Sequence, residues 1–209
     1  MLIDTDDEVV RLVRIAVAHL GVEEVRFTGG EPLLRPGLIG IVERCAALGP
    51  RPRLSLTTNG IGLGRTAGVL ERAGLDRVNV SLDTLRPAVF KALTWRDHHH
   101  DVLQGLAAAR AAGLTPVEVN AVLMPGLNDD EAPELLAWAM ENDYELRFVE
   151  QMPLDAQHGW RRDGMISAGV ILESLRTRFT LTPEPDEARG SAPAERWDQP
   201  SLSFLRAAR

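Results

Sequence analysis

The chain has 209 residues, 44% of them hydrophobic, and carries 23 Lys and Arg against 30 Asp and Glu, for a formal net charge of -7. That length can bury a substantial core in one domain of ordinary size, while the acidic balance argues against a nonspecific nucleic-acid surface. The opening MLIDTDDEVV has no basic segment leading into an apolar run, and no apolar run approaches the roughly 18 residues of a membrane span; a cytoplasmic protein with no membrane and no nucleic-acid partner is expected.

The first predicted element is a helix over residues 6–20, where Val9, Val10, Leu12, Val13, Ala16, Val17 and Leu20 recur at helical spacing before Gly21. A strand over 22–28 then delivers the chain to Gly29 and Gly30. A helix over 37–48 leads to a strand over 53–58 and to Asn59-Gly60. The alternation continues with a helix over 64–73, a strand over 77–82, a helix over 98–112 and a strand over 116–122. A helix over 130–142 tolerates Pro133 in its first turn, and a fifth strand over 145–150 precedes a last helix over 167–179. Beyond it TLTPEPDEARGSAPAERWDQPS is rich in proline, charge and small residues, so residues 181–209 read as a flexible or irregular tail on a partial barrel of residues 1–180.

Intervals that each hold a helix require crossover connections, hence parallel neighbours. Within the strands, polar residues keep one parity: Arg26 and Thr28, Ser55, Thr57 and Asn59, Asn79, Ser81 and Asp83, Glu118 and Asn120, and Arg147. The other parity carries Val25, Phe27, Leu54, Leu56, Val78, Val80, Val117, Val119, Leu146 and Phe148. Strands covered by helices on both faces would be nearly all apolar. A curved sheet with its apolar face against outer helices and its polar face toward a ligand fits better, and a partly exposed face in an incomplete assembly is compatible with it. Five strands fall short of a closed eight-stranded barrel, so an incomplete open (β/α) barrel of about five parallel strands is expected.

The strongest local feature is RFTGGEPLLRPG, residues 26–37. Gly29 and Gly30 can bring backbone groups close to a ligand, Glu31 could bind an amine, and Pro32 stiffens the exit; the same residues also serve a tight structural turn. Neither a Walker loop nor a GxGxxG fingerprint is present. His98-His99-His100, between Asp97 and Asp101, reads as a solvated helix start because adjacent helical residues point in different directions. His158, near Trp160, Arg161 and Arg162, reads as part of a surface loop. Asp83, Asp129 and Asp130 read as loop and cap carboxylates.

Taken together, RFTGGEPLLRPG, LTTNG at 56–60, VNVSLD at 78–83, VEVNAVLMPGLNDDE at 117–131 and RFVEQMP at 147–153 resemble, in order and spacing, the radical S-adenosylmethionine superfamily and, within it, the GTP 3',8-cyclase family of molybdenum cofactor biosynthesis. The resemblance runs from about residue 3 to residue 197. It implies a partial (β/α)6 barrel, S-adenosylmethionine bound against a 4Fe-4S cluster, and GTP as the small-molecule ligand. Carried over, Gly29, Gly30 and Glu31 receive the amino end of S-adenosylmethionine, with Pro32 shaping the loop. Thr57 and Ser81 contact that cofactor, Asn59 lies nearby, and Met152 lies on its adenine side. Arg26 and Arg147 point toward GTP, since guanidinium groups match phosphate oxygens.

The departures bear on activity. The family's CxxxCxxC loop and its C-terminal cysteines have no counterpart among these residues. The single cysteine, Cys45, sits in the helix-like LIGIVERCAAL and permits no Cys-only metal site within one chain. No catalytic residue and no metal ligand is therefore assigned, and this chain alone is not expected to catalyse the family reaction. The alternative is a noncatalytic shortened paralogue or fragment that keeps S-adenosylmethionine binding or serves a partner. Glu24 and Glu118 stand where the family usually directs lysines at the triphosphate, and carboxylates there repel phosphate. The edge of the first strand is expected to be unpaired, which favours self-association.

Overall fold

The computed structural model describes residues 5–152, 165–184, 194–199 and 202–208. Its contacts divide the chain into two units, residues 1–81 with 100–117 and residues 82–99 with 118–209.

In the first unit α1 (Asp6–Leu20) starts at Thr5, whose hydroxyl accepts from the Glu8 N–H while the Glu8 carboxylate accepts from the Thr5 N–H. This reciprocal cap satisfies two of the donors that a helix start leaves open. Next come β1 (Glu24–Phe27), a 3-10 turn (Pro32–Leu34), α2 (Leu38–Ala46), β2 (Arg53–Thr58), α3 (Leu63–Arg72) and β3 (Arg77–Ser81). β1, β2 and β3 are parallel neighbours, with Arg26 opposite Ser55 and Ser55 opposite Arg77. Leu54, Leu56, Val78 and Val80 are completely buried, as are Val42, Leu63 and Leu70 from the helices. The expected apolar face against outer helices is therefore present. Ser55 and Asn79, of the opposite parity, are buried as well.

The unit is completed by α5 (His99–Ala112), which closes on the end of β2 at a point only glycine permits. Gly60 has φ +79°, and a Cβ there would lie 2.9 Å from Val80 Cγ1 and 3.1 Å from Val102 Cγ1. A Cβ on Gly105 would lie 2.8 Å from the Gly60 carbonyl oxygen. The two glycines let a helix touch the strand exit backbone to backbone.

The second unit contains α4 (Pro87–Thr94), β4 (Val117–Ala121), α6 (Ala132–Glu141), β5 (Glu145–Val149) and α7 (Ala168–Arg176). β4 and β5 are parallel, with Glu118 opposite Glu145 and Asn120 opposite Arg147. Leu146, Phe148, Leu135 and Leu175 form its buried interior.

Among the described residues of 181–209, a stretch rich in proline and charge, are three short strands, β6 (Thr182–Pro183), β7 (Ala194–Gln199) and β8 (Leu202–Ala208). β8 lies parallel to β5, and β7 is antiparallel to both β6 and β8. The free edge of β5 supplies backbone partners that such a composition does not advertise. Among the described residues no strand pairs with the outer edge of β1, and no helix is long and apolar enough to cross a membrane.

Candidate functional site

The C-terminal ends of parallel strands are where α/β sheets present ligand-binding loops, and the sequence motifs fall there. After β1, Gly29 takes φ +146°. A Cβ on Gly29 or Gly30 would meet nothing within 4 Å, so this backbone faces open space. Such a surface fits the close approach of a small polar ligand.

Glu31 follows, and its carboxylate is engaged by the chain itself. Oε1 accepts from the Leu33 N–H at 3.0 Å and from the Thr58 hydroxyl at 2.6 Å, while Oε2 accepts from the Asn59 N–H at 2.8 Å. The Gly60 N–H in turn donates to Thr58 Oγ1 at 3.1 Å. Glu31 thus ties the loop after β1 to the loop after β2. Pro32 begins the 3-10 turn that this carboxylate caps.

Thr57, assigned to the cofactor by resemblance, is half-buried, and its neighbour Thr58 is the residue bound to Glu31. Asn59 is exposed and uses its Oδ1 on the Ile61 N–H at 2.9 Å, a local turn. Ser81 is exposed at the end of β3, and Arg26 is exposed on β1. Glu24 is ion-paired with Arg53 at 2.7 Å and lies 3.5 Å from Arg77. It is matched by basic neighbours within its own unit.

In the second unit the Arg147 guanidinium lies 3.0 Å from Glu118 Oε2, with side-chain exposures of 15% and 1%. The acid whose repulsion of phosphate stood against GTP is therefore the partner of the arginine expected to bind it. Met152 is exposed.

Asp83 has one carboxylate oxygen on the Val122 N–H at 2.9 Å, and Asp129 accepts from the Gly126 N–H at 3.0 Å. Asp130 pairs with Arg86. The reading of these acids as loop and cap carboxylates describes them. The histidine run is different. His99 is buried, its Nε2 lies 3.2 Å from the Thr84 carbonyl oxygen, and its ring meets Phe90 edge-on at 5.4 Å. The helix start is solvated at His98 and His100 but not between them, because alternate side chains at a helix terminus diverge. His158 lies outside the described residues.

Burial pushes the Asp83 carboxyl above its usual range, against the smaller opposing pull of the Val122 N–H. A folded-state value above the unfolded one means the fold penalises the ionised form. Stability from this group is greatest at acidic pH and is lost as pH rises through the folded value. Asp83→Asn keeps an acceptor for Val122 without the charge. It is expected to melt above the parent at pH 7, with the gap closing toward pH 4, in a thermal denaturation series. A gap that widens on acidification would contradict this sign.

A 4Fe-4S cluster does not fit the residues present. Cys45 is fully buried in α2, where burial pushes its thiol up and away from the thiolate that a metal requires. Among the described residues no group of three His, Cys, Asp or Glu side chains could hold a metal ion. In the first unit the glycine backbone at Gly29 and Gly30 is open beside the ordered Glu31 carboxylate, while Thr57 is half-buried and Ser81 exposed at their strand ends.

Sequence reasoning missed Thr58 and Thr84, at or just past strand ends, and Asn128 and Glu131, in the loop leading into α6, all engaged with backbone groups. The signal was their place within the LTTNG, SLDT and GLNDDE motifs, where parity favoured their neighbours.

A model of the Radical SAM superfamily matches residues 2–139. A GTP 3',8-cyclase from Streptomyces coelicolor is 79% identical over 92% of this chain and 57% of its own length. GTP 3',8-cyclase 2 from Mycobacterium tuberculosis is 58% identical over 91% of this chain and 53% of its own. The chain spans little more than half the length of these curated relatives. A domain of pyruvate-formate lyase-activating enzyme from Bacteroides vulgatus superposes with a TM-score of 0.57 at 20% identity, covering 74% of this chain and 93% of that one. Coproporphyrinogen III oxidase from Escherichia coli, described as a radical SAM enzyme, gives 0.57 at 15% identity over 82% of this chain and 44% of that one. These two likenesses concern the fold, and they agree with the open barrel expected from the strand pattern. The motifs, the strand-end loops and the match across two thirds of the residues converge: this chain belongs to the radical SAM superfamily, in its GTP 3',8-cyclase family.

Proposed function

We propose that the chain is a GTP 3',8-cyclase-like protein of molybdenum cofactor biosynthesis whose first unit binds S-adenosylmethionine through Gly29, Gly30, Thr57 and Ser81. The family reaction converts GTP to (8S)-3',8-cyclo-7,8-dihydroguanosine 5'-triphosphate; the bound cluster and S-adenosylmethionine supply its radical chemistry. This chain's own residues serve binding and orientation rather than cluster ligation, so the cyclisation is not catalysed by this chain alone. The carrying observation is the 79% identity to a GTP 3',8-cyclase across 92% of the chain, which spans the open glycine loop.

Glu31 orders that loop, with its carboxylate held by Leu33, Thr58 and Asn59. The amino end of the ligand then meets the glycine backbone beside it. Met152 is assigned to the adenine, and Arg26 and Arg147 to GTP, by family resemblance. The Arg147–Glu118 pair presents phosphate with a compensated charge in place of a bare cation.

Gly30→Val separates binding from folding, because a Cβ there meets no protein atom within 4 Å yet occupies the proposed ligand space. Calorimetric titration is expected to show S-adenosylmethionine binding to the parent and at least about 10-fold weaker binding to the variant, with melting temperatures nearly equal. No binding by the parent, or equal binding by both, would overturn the assignment. Anaerobic reconstitution with iron and sulfide is expected to yield no stoichiometric cluster on this chain.

A further inference from the structure

The bonding pattern around Glu31 occurs a second time, in the other unit. There the Thr84 hydroxyl donates to Glu131 Oε1 at 2.5 Å, the Leu85 N–H donates to Glu131 Oε2 at 2.9 Å, and the Arg86 N–H donates to Thr84 Oγ1 at 3.0 Å. Every donor and acceptor matches its counterpart among Thr58, Asn59, Gly60 and Glu31. In both cases the threonine lies at or just beyond the end of a parallel strand. We infer that Glu131 is a positioning residue, fixing the segment after β3 as Glu31 fixes the segment after β2. Resting on S-adenosylmethionine as the ligand, the inference assigns Glu131 to holding residues 84–86, the segment that follows β3 in the chain, in binding-ready form.

The placement of Glu131 argues against ordinary helix capping. It is the residue preceding α6, where a carboxylate would normally accept from its own first turn, yet it makes no side-chain capping bond. Its side chain is fully buried, and Arg86 Nε lies 2.9 Å away as counter-charge. A dehydrated carboxylate is costly unless its oxygens are engaged. Here that engagement is spent on consecutive backbone and side-chain groups of residues 84–86.

The same segment is tied again at neighbouring points. Asn128 Nδ2 donates to the Asp83 carbonyl oxygen at 2.6 Å, and His99 Nε2 lies 3.2 Å from that of Thr84. A loop held at each residue has little ordering left to undergo when a ligand arrives, which favours affinity.

Thr84→Val and Thr84→Ser test the inference in the intact chain, alongside Glu131→Gln. Valine preserves volume but removes both the donor to Glu131 and the acceptor for Arg86; serine keeps them. Calorimetry with S-adenosylmethionine is expected to show about 10-fold weaker binding for Thr84→Val and Glu131→Gln, and near-parental binding for Thr84→Ser. Amide exchange is expected to accelerate about 10-fold at Leu85 and Arg86 in the two weakened variants, with β1 and β2 unchanged. Should Glu131→Gln fail to fold, the threonine pair carries the comparison.

Parental affinity in Thr84→Val, unchanged exchange at Leu85 and Arg86, or failure of serine to rescue would each overturn the inference. Absence of binding in the parent would instead overturn S-adenosylmethionine as the ligand, and with it the assigned purpose of Glu131. The exchange rates would then still uphold or overturn the clamp itself.

Discussion

Arg147→Ala should lower unfolding free energy by about 3–5 kcal/mol, the usual consequence of stranding a buried charge. Glu118 is 1% exposed and its carboxylate lies 3.0 Å from the Arg147 guanidinium. Removal of the arginine leaves that acid in a setting where water cannot replace its partner. The next strand adds to the penalty, because Glu118 faces the like-charged Glu145 across the β4–β5 ladder. Replacing both members, Arg147→Met with Glu118→Leu, should recover most of the loss, since an apolar pair of similar volume avoids desolvating either charge. Urea unfolding of the two single variants and the double variant measures the coupling. A loss below about 1 kcal/mol for Arg147→Ala would place the pair among surface-like ion pairs.

Glu31→Ala should cost about 2–4 kcal/mol, because hydrogen bonds to a charged acceptor contribute roughly 1.5–3 kcal/mol each and are not additive. Three donors lose their acceptor together: the Leu33 and Asn59 N–H groups and the buried Thr58 hydroxyl. Glu31→Gln should fall between parent and alanine, since the carboxamide retains one accepting oxygen and replaces the other with a donor. This outcome distinguishes a loop-ordering carboxylate from one that serves only a ligand amine. In the latter case, alanine would shift ligand-free stability by no more than about 0.5 kcal/mol. Denaturant titration of the three proteins without ligand decides between them.

Together the two variants locate the protein's electrostatic investment. Glu31 and Glu131 organise strand-end loops through hydrogen bonds to backbone and threonine groups, while Glu118 balances an arginine inside a sheet. Such carboxylates restrict conformations more than they add net stability, because desolvation offsets much of the attraction. Restricted strand-end loops are what a preorganised binding site requires.

The alternation of α1, α2, α3, α5 and α6 with β1–β5 was legible in the sequence because it follows from short-range regularities, whereas α4 (Pro87–Thr94) was not among the predicted elements. Helical spacing marked α1, alternating parity marked β2 and β3, and glycine with proline punctuated the strand exits. The tertiary structure alone decided who holds whom. Glu31 turns to Thr58, Glu131 to Thr84, Glu118 to Arg147, and the chain after α7 to the edge of β5. Those partners lie 27, 47, 29 and more residues apart in the chain, beyond the reach of local periodicity, and parity names a face without naming a partner on it. The physical reason is that a buried charge or a free strand edge is satisfied by whichever group the fold brings near, a choice that exists only once distant segments are packed.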